Sequence, residues 1–86
     1  MRKIEFSKHA LFKINILKEH GFGVEKDFIE ECLKFPDKQD EGYNDRKISQ
    51  KVFDSEHVIR VVYEEKKDKI LVITLYPGRR ERYEKD

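Results

Sequence analysis

Along the first third of the chain the spacing of apolar residues switches from two to nearly four. Ile4 and Phe6 alternate with Lys3 and Glu5, which predicts a short strand with one buried face at a sheet edge. Ser7 then stands at a helix N-cap position, and no Pro or Gly interrupts the chain from Lys8 to His20 until Gly21 offers a stop. In that first helix Ala10, Ile14 and Leu17 form the core stripe, with Leu11 at its margin. A second stripe of His9, Phe12, Lys13, Ile16 and His20 lies nearly opposite; it either packs beneath another element, the favoured role, or meets a partner protein. After Gly21-Phe22-Gly23, a second amphipathic helix is predicted over residues 25 to 35, with Phe28, Ile29, Cys32 and Leu33 inward and Pro36 ending it. Residues 37 to 44 are polar and contain Gly42, so they read as a loop.

From Arg46 the period becomes two. Ile48 and Val52 are expected to face the core, with Lys47, Ser49 and Lys51 on the other side, before a turn at Asp54-Ser55-Glu56. Two apolar strands follow, about 58 to 64 and 70 to 76, joined through Lys66-Lys67-Asp68. Pairing Ile59 with Leu75, Val61 with Ile73 and Tyr63 with Leu71 makes one face wholly apolar, so that face is assigned to the core. Arg60 then lies on the opposite, solvent-facing side, across from Thr74 and near Lys47, Lys51 and Tyr76. Pro77 and Gly78 are expected to bend the chain and fold Arg79, Arg80, Arg82 and Tyr83 over that same side. Tail residues Glu81, Glu84 and Lys85 equally allow a solvated charge run, and Lys47 and Lys51 could serve only to solubilise or protect an edge.

Composition narrows the choices. The 86 residues make one small domain with no room for a large enclosed cavity, and neither linker nor repeat divides it. Nineteen Lys and Arg against 18 Asp and Glu leave a net charge of +1, so affinity for a polyanion has to come from local clustering. A charged fraction of 43% with few amides is the balance of proteins from hot environments. One cysteine excludes an intrachain disulfide and argues against a thiolate metal site, and Cys32 among apolar neighbours reads as a buried hydrophobe. No signal peptide or membrane span is legible, so a soluble cytoplasmic protein with no membrane partner is expected. Cations gathered on one sheet face with two tyrosines suit single-stranded RNA: Arg binds phosphate with two donors, Lys with a point charge, and Tyr offers a stacking surface.

The order strand, helix, helix, antiparallel sheet, together with IRVVYEEKKDKILVITLYPGRRERY, resembles the RelE/ParE superfamily of toxins. SKHALFKI and the ITLYP segment look similar to the small branch related to the BrnT toxins. The resemblance spans nearly the whole chain. It implies an α+β fold of order β-α-α-β-β-β, two N-terminal helices packed on an antiparallel sheet, with residues 77 to 86 as a basic tail. It also implies a metal-independent, cofactor-free endoribonuclease acting on messenger RNA, commonly on the ribosome, and silenced by an acidic protein antitoxin. By that resemblance Arg60 matches the strand arginine that binds phosphate, Arg80 the tail arginine at the leaving group, and Lys47 and Lys51 lie near the lysine pair. The family's basic tyrosine falls close to where this chain ends, which leaves Tyr83, Tyr76 or His9 as the candidate base, and Arg79 and Arg82 as further RNA contacts. The other reading is a non-catalytic module of the same fold that binds RNA, an antitoxin or another protein. A purely structural interaction domain, its basic face covered by the tail or a second copy, is the third.

Overall fold

The computed structural model describes residues 2–84, so Lys85 of the expected tail lies outside the described residues. The chain is α+β. Its elements are β1 (Lys3–Phe6), α1 (Lys8–Glu19), α2 (Lys26–Lys34), β2 (Lys38–Glu41), β3 (Lys47–Val52), β4 (His57–Glu65), β5 (Lys69–Arg79) and the single turn α3 (Arg80–Tyr83). Five strands form one mixed sheet in the order β1-β5-β4-β3-β2. β1 joins at the edge as expected, but it runs parallel to β5 while the other pairs are antiparallel, so the expected antiparallel sheet is mixed, and β2 and α3 extend the expected order β-α-α-β-β-β.

The helices cover one face of the sheet. Ala10, Leu17, Ile29 and Cys32 meet Ile59, Val61, Val72 and Leu75 there, with Ile4, Phe6, Ile14, Phe28 and Leu33 packed around them. Ser7 fixes where α1 begins: its Oγ accepts from Ala10 N at 3.0 Å and donates to Ile73 O at 2.8 Å. Ile73 is the residue left over at a β-bulge, since Val62 pairs with Thr74 and Tyr63 with Val72. The helix cap and the bulge thus satisfy each other.

Four expectations are corrected. Residues 38 to 41, expected in a loop, form β2, which has no apolar alternation because KQDE is an edge strand whose side chains lie largely in solvent. The last hairpin is shifted from the expected register, by two residues up to the bulge, with Val61 opposite Leu75 and Arg60 opposite Tyr76 rather than Thr74, and by one beyond it, with Tyr63 opposite Val72. Ile59, Val61 and Leu75 do line the core, but beyond the bulge Val72 and Ile70 replace Ile73 and Leu71 as the inward residues. β3 is turned over relative to expectation. Ile48 and Val52 pair with Val62 and Val58 on Arg60's face, and Lys47, Ser49 and Lys51 pair with Tyr63, Val61 and Ile59 on the helix side. Packing was expected for the second stripe of α1, yet Phe12 is 60% exposed. Among the described residues no helix is long and apolar enough to cross a membrane.

Candidate functional site

The face of the sheet opposite α1 and α2 has two halves, and Arg60 sits at their boundary. At one end α3 folds back over β4 and β5. β5 does not stop at Pro77 as expected but runs on to Arg79. The turn comes after it, with Arg80 N bonded to Glu56 O at 2.9 Å. That turn delivers Tyr83 onto Gly78, where a Cβ would stand 2.4 Å from the ring, so only glycine leaves room for it. Val58 is fully buried beneath this end. The Tyr83 carbonyl is then held by Lys38 Nζ at 3.1 Å and by Gln50 Nε2 at 3.3 Å.

Arg60 is 6% exposed, against the expectation of a solvent-facing side chain. Its Nε donates to the Tyr76 hydroxyl at 3.0 Å, one terminal nitrogen donates to Gln50 Oε1, and the other pairs with Asp40 Oδ2 at 3.1 Å. The Tyr83 ring caps the guanidinium at 4.4 Å from its centroid. Burial works against the charged form, but Tyr76 and Asp40 outweigh it and the net shift in pKa is upward. Gln50 is the residue that sequence reasoning missed. Its oxygen serves Arg60 and its nitrogen serves Tyr83, so a single amide joins strand to tail. The available signal was Ser49-Gln50 in mid-strand: two consecutive polar residues, 0% and 2% exposed, mean that both faces of the sheet are covered at that point.

The other expected site residues do not all converge. Tyr76 and Tyr83 meet Arg60. Arg80 does not; it bonds Glu84 at 3.0 Å and reaches the Ser55 carbonyl, beside Arg79, which faces Glu56 and Glu81 at 3.9 Å each. Arg82 is exposed alongside the Tyr83 ring. Lys47 pairs with Glu65, which raises the pKa of the lysine through a hydrogen bond and charge. Lys51 donates to the Phe35 carbonyl at 3.1 Å. Both lysines belong to the helix side, so the expected cationic face of Lys47, Lys51 and Arg60 is not assembled. His9 is exposed on α1, across the sheet from Arg60. Among the described residues no three His, Cys, Asp or Glu side chains are grouped to hold a metal ion.

The second half of Arg60's face is open. A groove of about 480 Å³ runs beside it, lined by Glu41, Gly42, Tyr43, Arg46, Ile48, Val62 and Tyr76. Tyr76 therefore borders both halves, its hydroxyl oxygen taken by Arg60 and its own proton left to give. No family model, curated protein or solved structure matches the chain.

Proposed function

We propose that the protein is a RelE/ParE-like toxin of the endoribonuclease type, acting in the cytoplasm on single-stranded RNA and silenced by an acidic protein partner. The observation that carries this reading is the meeting of Arg60, Tyr76 and Tyr83 on the sheet face away from the helices, beside an open groove. The reading is supported by two helices between the first strand and a C-terminal run of antiparallel strands, although β2 and α3 are additions to the implied order and β1 runs parallel to β5. In the reaction the ribose 2′-oxygen attacks the neighbouring phosphorus, the bond to the 5′-oxygen breaks, one proton leaves the 2′-hydroxyl and one reaches the 5′-oxygen. No metal is needed to balance that step. Arg60 supplies fixed positive charge for the crowded phosphate, and Tyr76 supplies a proton donor held in place by Arg60. For the phosphate to reach Arg60, Tyr83 must swing away and Asp40 must yield, so the described arrangement is the closed one. His9 lies on the far side of the sheet, which leaves the two tyrosines as candidates for moving protons.

Arg60→Ala is a poor test, because it strands Gln50 and Asp40 and empties a buried site. A better one incubates purified protein with RNA or translating ribosomes and maps the new 5′ ends. Tyr76→Phe and Tyr83→Phe together, in protein shown to remain folded, should lower cleavage at least tenfold, the lower range for loss of a proton-transfer group being about a hundredfold. Unchanged cleavage by the double variant sinks the assignment. One observation favours the non-catalytic module instead: Arg60 already has Asp40, and Arg80 already has Glu84. RNA retention that weakens with salt, with no cleavage, would establish that second reading.

A further inference from the structure

The groove beside Tyr76 has a chemistry of its own. Its floor is β-branched and apolar, Ile48 on β3 opposite Val62 on β4. Aromatic rings border it from two elements: Tyr76 from β5, and Tyr43 from the loop between β2 and β3. Tyr43 is 91% exposed, an unusual place for a ring with nothing to cover it. The loop that holds it is closed on itself. Gly42 N bonds Arg46 O at 2.8 Å, Arg46 N bonds Tyr43 O at 3.1 Å, and Asn44 and Asp45 take left-handed φ of 55° and 63°. The ring is thus presented by a defined turn.

A polar group completes the lining, the guanidinium of Arg46, since Glu41 pairs with Lys47 in the register and directs its carboxylate to the helix side. Arg46 Nε is the one buried side-chain nitrogen or oxygen among the described residues without a hydrogen-bond partner, its nearest carboxylate oxygen, on Glu64, standing 3.8 Å away. An apolar floor between two rings gives a phosphate little to bind. A flat heteroaromatic ring with acceptors along one edge fits these features at once, stacking on tyrosine and accepting from the guanidinium of Arg46. The volume also lies in the range of small-ligand sites.

We propose that this groove is a nucleobase pocket. It deepens the RNA reading above and rests on that reading for the source of the base, while the pocket's fit depends only on its own residues. With RNA as the source, Tyr76 connects the two halves of the face: its ring borders the base in the groove while its hydroxyl stays on Arg60, so a neighbouring phosphate is directed toward the Tyr83-covered end.

The test follows the tyrosine ring resonances of the full chain during titration with guanosine 5′-monophosphate, a short unstructured oligoribonucleotide, and ribose 5-phosphate as a probe without a base. Guanine is chosen because its N7 and O6 acceptors suit a guanidinium. The expected result is movement of the Tyr43 and Tyr76 signals with both base-bearing probes and not with ribose 5-phosphate. Tyr43→Ala, at a position too exposed to matter for folding, should weaken base binding about tenfold, as loss of one stacked ring does. Base binding that Tyr43→Ala leaves within twofold of wild type, or equal response to ribose 5-phosphate, overturns the pocket. Cleavage of RNA by Tyr43→Ala at wild-type rates, with the Tyr43 signal of the unsubstituted chain unmoved by the base-bearing probes, removes the pocket and leaves the ribonuclease standing. Base-specific shifts in a protein that cleaves no RNA support the pocket and remove the ribonuclease. A response to the oligoribonucleotide without one to the mononucleotide supports the pocket with a strand as the source.

Discussion

Gly78 and Tyr83 show how one missing side chain organises a surface. The ring lies where a Cβ would be, and from there it caps Arg60. Gly78→Ala should push the ring off the guanidinium and cost about 1–3 kcal/mol, the usual cost of inserting a methyl into filled space. In a Tyr83→Ala background the same substitution should cost much less, because the atom it strikes is gone. Urea unfolding of the two single variants and the double variant measures the coupling, and simple additivity would show that Gly78 does not house the ring. Arg60 itself illustrates why a charge in a strand is ambiguous in a sequence. It has donors for several partners, and those partners, Asp40, Gln50, Tyr76 and Tyr83, come from four separate places in the chain. An arginine bonded in this way is held by the fold whether or not it also meets a ligand.

At the level of elements, Ser7 joins a helix to a strand. Ser7→Ala removes both the cap on α1 and the hydrogen bond to the bulge carbonyl of Ile73, and a loss of about 1–2 kcal/mol is expected. A shift of the urea midpoint with an unchanged slope would report it. The cap, both N-terminal helices and the apolar set of Ile59, Val61 and Leu75 were legible because each rests on local spacing. The bulge was not, since one extra residue at Ile73 leaves no mark on composition, yet it exchanges inward and outward residues along the rest of β5. β3 misled for a different reason. Its alternation shows two faces clearly but not which one meets α1 and α2; α3 with Tyr83 covers only the end of the second face at Arg60, and Ile48 stays half-buried on the floor of the open groove. Inverting that one strand moved Lys47 and Lys51 away from Arg60, so the expected cationic site dissolved while the two tyrosines remained.

Across the described residues, many charged side chains stand in ion pairs, and this gives stability a dependence on pH. The hydrogen bond from Lys69 lowers the pKa of Glu5, those from Lys47 and Arg2 lower that of Glu65, and the backbone N–H of Glu56, with His57, lowers that of Asp54. A carboxylate whose folded pKa lies below its unfolded one stabilises the fold above the unfolded value and stops doing so as pH falls through the folded value. Stability should therefore hold from neutral pH down to the ordinary carboxylate range and decline below it. Lys47, shifted upward, acts in the opposite sense, and its contribution disappears only as alkaline pH passes its raised value. Urea midpoints across that acid range, at low and high salt, should show the decline, with salt reducing its size because these pairs are largely exposed. The single cysteine offers an independent view of the same cooperativity. Cys32 is fully buried, its sulfur bonded toward the Ser49 carbonyl at 3.3 Å, and burial pushes its thiol up to about 12. Only the thiolate attacks a disulfide dye, so at neutral pH the folded chain should label at a small fraction of the rate of the urea-unfolded one, and the labelling rate should rise with Ser7→Ala or Gly78→Ala in step with their loss of stability. The lone thiol is thus a built-in clock for how often α2 lifts from the sheet, readable without adding any probe to the sequence.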